Sequence, residues 1–492
     1  MGIWPKSLYR STVNTSTTAW IDRHLYVSYR GSYRKSSCWA LLVVNLGCFF
    51  RLYDKRGGTT LKKYFEFDKL GTNYRTETMA GITTFLAMAY ILFVNPNILA
   101  DGTGMDRDAV YVATALSAAV GTLIMAFLAK YPVALAPGMG LNAFFAYTVV
   151  IGYGIPWETA LAGVLVSGFI FLLLSLSGLR EKVINAIPPV LKLAVGAGIG
   201  LFIAFVGFQN AKIIVADPAT LVALGDITSG TTLLAIFGVV VTVILIGVGI
   251  RGGVFYGMII TAIAGMLVGL IDLPDQIVSG VPDLSPTFGV AFQHLNEIFT
   301  IEMLIVIITF LFVDFFDTAG TLVAVTTKAG LIKDNKLPRA GKALLADSSA
   351  TVVGATLGTS TTTAFVESAT GVAAGGRSGF TSVVTGLLFV LAIFFSPLLA
   401  VITNEVTAPA LIIVGIMMVS ALKDIPWDKF EYAVPAFLTV IIMPLGYSIA
   451  TGIAVGFVFY PIMMVAKGKA KEVNPIMWAL FVIFILFLGF VQ

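Results

Sequence analysis

Charge is scarce in this chain. Asp, Glu, Lys and Arg make up 12% of its 492 residues, about half the share that soluble globular domains carry. Beside 58% hydrophobic residues and a mean hydropathy of +0.93, that deficit excludes a soluble protein with one large core. Cysteine is nearly absent. Cys38 and Cys48 are the two, and they provide neither a disulfide framework nor metal-ligand spacing. Histidine is equally rare, and His24 and His294 stand alone. No GxxxxGK[ST] loop occurs, which argues against a built-in ATP motor. Strict alternation of apolar and polar residues, the mark of an outer-membrane barrel, is also missing. What is left is an all-α polytopic membrane protein. Its 49 glycines sit in apolar segments, where they let helices pack closely. The formal charge of +4 comes from bases in short loops and points to no nucleic-acid partner.

Residues 1–60 differ from the rest. They are rich in Arg, Ser and Tyr, with one apolar run at 38–50 that is too short to span about 30 Å of hydrocarbon. Organised sequence starts at Leu61, so 1–60 is expected to be an extension outside the working protein, as a UUG start codon at 61 would explain. Apolar segments of helix length then run near 77–99, 109–129, 133–151, 157–178, 185–214, 231–250 and 253–272. A second set runs near 303–327, 340–357, 359–376, 378–400, 404–422, 430–446 and 447–466. The expected organisation is a first repeat at 61–272, a linker at 273–302, a second repeat at 303–466, and a basic linker with a last apolar stretch at 467–492. Bases fall in alternate loops, among them Lys130, Arg180, Lys182, Arg251, the cluster Lys328, Lys333, Lys336, Arg339 and Lys342, Arg377, and Lys467 to Lys471. Acids such as Asp101, Asp106, Asp272, Asp275 and Asp283 fall in the others. The positive-inside rule then places both ends of the fourteen-segment core in the cytoplasm. Two sets of seven must be inverted relative to each other, a hallmark of secondary transporters. IRGGVFYG at 250–257 and IATGIAVG at 449–456 share I-x-x-G-[VI]-x-x-G.

The third segment of each set is the least helical. Pro132, Pro137, Gly138 and Gly140 prevent a continuous helix through 132–140, and a half-helix is expected from about Gly140. In the second set, five Ser or Thr residues at 359–363 favour extended backbone, and a helix is expected from about Ala364. Broken segments at matching positions are the best sequence pointer to a transporter site. Asn142 and Glu367 follow the two breaks, and Asp314 and Asp317 lie mid-segment in the eighth. A carboxylate near a bilayer centre costs roughly 3 kcal/mol on insertion scales, so each is a site candidate by default. Asp347 lies closer to a basic loop and is expected to be structural or ion-paired.

TMAGITTFLAMAYILFVNPNIL (78–99), ALAPGMGLNAFFAYTVV (134–150), FVDFFDTAGTL (312–322) and TSTTTAFVESATGVAAGGRSG (359–379) resemble the hypoxanthine/guanine/adenine permease family, the AzgA-like branch of the nucleobase transporters. The resemblance runs from Leu61 to about Lys471. It implies fourteen transmembrane segments in a seven-plus-seven inverted repeat, with a core domain (segments 1–4 and 8–11) and a gate domain (5–7 and 12–14). It implies a purine base bound between the broken third and tenth segments and the eighth helix, and entering with protons. DTAGTL at 317–322 is similar to the E-H-I-G-H-L-type stretch of the uracil transporters, with Pro338 at nearly the same spacing. That favours Asp317 as the base-binding acid, beside Glu367 and Asn142. Gly140, Thr363 and Thr321 are further expected contacts. Thr321 stands where the uracil transporters have His, which weakens transfer of a His-based proton role. Proton coupling falls to Glu367 and Asp317, with Asp314 in support. Phe144, Phe145 and Phe365 are candidates to stack on the purine ring, although aromatics in apolar helices usually serve packing.

The expected activity is thus proton-coupled import of purine bases, guanine or hypoxanthine first and adenine second, at the plasma membrane, with no cofactor or metal. The sequence leaves the oligomeric state open, with a homodimer as one candidate assembly. An anion carrier of the same fold is the first alternative, opposed by acids in the binding region. A membrane-embedded enzyme is the second, opposed by the lack of a nucleophile–base pair or metal cluster.

Overall fold

The computed structural model describes residues 59–177, 187–274, 276–331 and 337–490. The run at 38–50, both cysteines, His24, Arg180, Lys182, Asp275, Lys333 and Lys336 lie outside them.

Polar caps start many of the helices. Two short turns, Thr59–Tyr64 and Phe67–Leu70, precede α1 (Tyr74–Met88), whose cap Asn73 accepts from the Thr76 amide. The chain breaks at Ala89 and Tyr90 before α2 (Ile91–Ala100). Asp106 caps α3 (Arg107–Ile124), which ends in a π-helical turn, Met125–Ala129. Strand β1 (Leu135–Pro137) leads into α4 (Met139–Ala143), which continues as a π-helix, Phe144–Gly152. Then come α5 (Trp157–Ser177) and α6 (Pro189–Asn210). An antiparallel hairpin, β2 (Ile214–Asp217) with β3 (Leu221–Leu224), follows. The sequence reading did not foresee it. Asp217 Oδ1 accepts from the amides of Ala219 and Thr220, so an Asx turn folds this loop back on itself.

Next are α7 (Gly230–Gly247), α8 (Gly253–Leu267), the long α9 (Ile301–Lys328) and α10 (Ala340–Leu357). Strand β4 (Thr362–Ala364) and a single short helix α11 (Ser368–Ala373) form the second broken segment. The chain closes with α12 (Gly379–Ala392), α13 (Asn404–Val419), α14 (Phe430–Leu445), α15 (Ile449–Ala466) and α16 (Pro475–Phe490).

Two packing groups emerge. In one, α10 lies against α3 and α5, α12 against α1 and α3, α9 against α5, and α11 against α1. In the other, α6 packs on α13 and α14, α7 on α8 and α13, α15 on α14, and α16 on α15. They touch where α6 meets α4 and α9 and where α8 meets α1.

Polarity is distributed opposite to a soluble fold. Leu173, Leu233, Phe237, Val243, Ile416 and Ile483 are exposed, while Thr, Ser, Asn and several carboxylates are buried. Among the described residues, eight helices are long and apolar enough to cross a membrane, and four shorter apolar helices accompany them. Lipid favours such a surface, since apolar side chains there cost nothing and internal polar groups pair with one another.

Candidate functional site

The two breaks complete each other. Leu135, Ala136 and Pro137 pair antiparallel with Ala364, Thr363 and Thr362. The ladder extends past both ends, because Gly138 N donates to Thr361 O at 2.9 Å and Phe365 N donates to Ala134 O at 3.0 Å. Each unpaired backbone group inside a membrane costs several kcal/mol, so the outer edges need partners too. Helices on either side supply them. Thr122 Oγ1 donates to Leu135 O at 3.0 Å and accepts from Leu135 N at 2.9 Å. Thr351 Oγ1 donates to Thr362 O at 3.0 Å, and Ser368 Oγ accepts from Ala134 N at 3.0 Å. A two-stranded ribbon has only edges, which is where Pro137 is tolerated.

Helix α4 begins at Met139, close to the expected Gly140. Helix α11 begins at Ser368 and not near Ala364. Ala364 is held in the ladder and Phe365 extends it, so the backbone cannot turn helical until after them.

Glu367 stands at the start of α11 and is nearly buried. Its Oε1 accepts from the Tyr90 hydroxyl at 2.5 Å. Tyr90 is fully buried and sits in the break between α1 and α2. Asp317, on α9, is the least covered of the acids Asp314, Asp317, Asp347 and Glu367. It faces the first break: a Cβ placed on Gly138 would lie 3.6 Å from Asp317 Oδ2 and 2.7 Å from Thr363 Cγ2. It is also within electrostatic reach of Glu367 and Asp347. The paired breaks therefore bring Asp317 and Glu367, distant in sequence, to one place.

Behind Asp317 lies a knot of buried polar groups. Thr318 Oγ1 is 2.8 Å from Asp347 Oδ1, 2.6 Å from Thr363 Oγ1 and 3.4 Å from Asp314 Oδ1. Asp347, expected beside a basic loop, is fully buried here. Asn142, also fully buried, accepts on Oδ1 from Ser360 Oγ across the breaks, and its Nδ2 has no partner among the described residues. Asn95 Nδ2 donates to Thr114 Oγ1 and Thr359 Oγ1 beside it.

The remaining expected residues divide. Thr321 is nearly buried one turn beyond Asp317. Gly140 abuts α6, where a Cβ would come 2.5 Å from Ile199 Cγ2. Phe144 and Phe145 pack on Phe310, with ring centroids 5.0 and 6.5 Å away. Phe365 is nearly buried beside Glu367 in sequence.

The model of the Permease family, Xan_ur_permease, matches residues 75–455. The chain belongs to this family. It is 64% identical over 440 residues to the guanine/hypoxanthine permease PbuG of Bacillus subtilis, covering 88% of this chain and 100% of that one. It is 42% identical over 437 residues to the adenine permease AdeP of Escherichia coli, covering 89% and 97%. Permeases move solutes and do not convert them, which answers the enzyme alternative. Among solved structures, the transmembrane domain of the cyanobacterial bicarbonate transporter BicA is similar with a TM-score of 0.57 at 15% identity, covering 80% of this chain and 97% of that one. The anion transporter Slc26a9 from mouse is similar with a TM-score of 0.56 at 11% identity, covering 94% and 77%. Those likenesses are of fold.

Tyr90, Thr318, Ser360 and Glu77 escaped the sequence reading. Tyr90 carried a signal, as a phenol amid aliphatic side chains in AYILFV, since a buried Tyr hydroxyl usually finds a partner. Glu77 stands in the first turn of α1. It is fully buried and accepts from Thr72 Oγ1, the Arg377 and Ser378 amides, Ser378 Oγ and Thr381 Oγ1.

Proposed function

We propose that this chain is a secondary active transporter that imports purine nucleobases with protons. Guanine and hypoxanthine are its first substrates and adenine its second. The observation that carries the reading is the convergence of Glu367 and Asp317 on the paired breaks. Purines offer ring N–H donors, and carboxylates accept from them through charge-assisted hydrogen bonds, the strong kind. Asn142 Nδ2 is a donor for a carbonyl or ring nitrogen. The guanine/hypoxanthine and adenine permeases among its relatives agree with this chemistry.

The arrangement we assign is fourteen segments in two inverted sets of seven. Supporting it are the breaks in the third segment of each set, their mutual pairing, and the shared I-x-x-G-[VI]-x-x-G pattern. The packing group holding the breaks is read as the core domain and the group around α6, α13 and α14 as the gate. Loop charges support a cytoplasmic start of α1.

Uptake of labelled guanine, hypoxanthine and adenine, with and without a protonophore, tests the reading. Glu367→Gln and Asp317→Asn are expected to abolish uptake while the protein still reaches the membrane, and native uptake by both refutes the site. The anion alternative has the fold likeness in its favour and the two acids against it. Competition by purines and not by sulfate or bicarbonate separates the two.

A further inference from the structure

An ionised carboxylate offers two oxygens to donors. In Glu367 these are not equivalent. Oε1 accepts from Tyr90 Oη at 2.5 Å, and that donor is not free to leave. Tyr90 is fully buried, and its backbone is set by tight turns, with Leu92 N donating to Ala89 O and Phe93 N to Tyr90 O. Helix α1, which leads into this break, packs directly against α11, so phenol and carboxylate are held by elements in contact. Glu367's own amide also reaches the carboxylate, and Tyr90 is the side chain that donates to it among the described residues, so Oε2 is the oxygen assigned here to a ligand.

Purines differ on the edge that meets such an acceptor. Guanine presents N1–H and a 2-amino N–H side by side, a match for both oxygens of a carboxylate. Hypoxanthine presents N1–H alone. A carboxylate with both oxygens open would favour guanine by one extra charge-assisted bond.

We infer that Tyr90 is a specificity-determining positioning residue, which occupies Oε1 of Glu367 so that the carboxylate reads a single ring N–H and accepts oxopurines with and without the 2-amino group alike. The inference rests on the reading of Glu367 as a purine-binding acid.

Competition by unlabelled guanine and hypoxanthine against uptake of labelled hypoxanthine, normalised to protein in the membrane, tests it. In the native protein the two inhibition constants should agree within about threefold, because one open oxygen gives the amino group nothing further to bind. A native preference for guanine above about tenfold, the worth of one charge-assisted bond, overturns the inference without any variant. In Tyr90→Phe both oxygens are open, and the ratio should move about tenfold toward guanine. An unchanged ratio in that variant, with or without a loss of affinity for both, also overturns it. Direct binding of labelled guanine and hypoxanthine to membranes carrying Glu367→Gln separates the two readings. If that variant binds both purines as the native protein does, the site assignment itself has failed. If it loses both while Tyr90→Phe keeps the native ratio, only the role of Tyr90 has failed.

Discussion

The hydroxyls of Thr318 and Thr363 lie 2.6 Å apart and join the long helix α9 to the strand of the second break. The same Thr318 oxygen is 2.8 Å from Asp347, so one side chain ties helix, helix and strand together at the back of the site.

Thr318→Val keeps the shape and removes the hydroxyl. A buried acceptor that loses its donor costs about 1–3 kcal/mol, and here the loss falls next to Asp317 and the paired breaks. Maximal purine uptake should drop at least tenfold at normal membrane abundance, and Thr318→Ser should restore most of it. Native uptake by the valine variant would remove this knot from the mechanism.

Gly138→Ala puts a methyl group 2.7 Å from Thr363 Cγ2 and 3.6 Å from Asp317 Oδ2. The ladder fixes the backbone up to Gly138 and α4 fixes it from Met139, so the clash cannot relax by a simple shift. Uptake should fall by more than tenfold, and purine binding to membranes should fall with it. Thr363→Ser in the same background makes room, and partial recovery of binding is the expected outcome.

Glu77→Gln addresses a carboxylate with five donors around it. The amide leaves one oxygen to accept and turns an NH2 toward groups that also donate. A loss of about 2 kcal/mol in stability follows from charge-assisted bonds of this kind. Thermal unfolding in detergent should move several degrees lower, while the KM for purine in the surviving protein stays native. A KM change without a stability change would contradict this.

Arg107 and Asn97 both donate to the carbonyl of Ile402, at 2.9 and 3.0 Å. Ile402 lies between the 3-10 turn Ile393–Val401 and α13, where one packing group hands the chain to the other. Arg107→Ala should therefore alter the maximal rate of uptake by a few-fold and leave purine affinity alone. Equal change in both measures would place the effect elsewhere.

Much of this architecture is legible in the sequence where backbone chemistry is local. Pro132, Pro137 and the run Thr359–Thr363 announce the two breaks, because proline lacks an N–H and threonine favours extended backbone. The start of α11 is not local. It waits for a ladder whose other strand lies far away in the chain, and the helix comes four residues later than propensity suggests. The break at Tyr90 is hidden for a related reason, since uninterrupted apolar sequence through 77–99 looks like one helix. Asp317 and Glu367 stand out by their cost in lipid. That the Tyr90 hydroxyl attends Glu367 depends on tertiary contacts alone.

The ribbon also constrains how the protein is made. Leu135 and its partner Ala364 are separated by about 230 residues. At roughly 5–20 residues per second of synthesis, the first break exists for about ten to forty-five seconds before the strand that completes it has been made. For that interval its backbone donors and acceptors have no ladder, inside a bilayer that offers no substitute. The nascent chain must keep residues 132–140 near water, or against the insertion machinery, until the second break arrives.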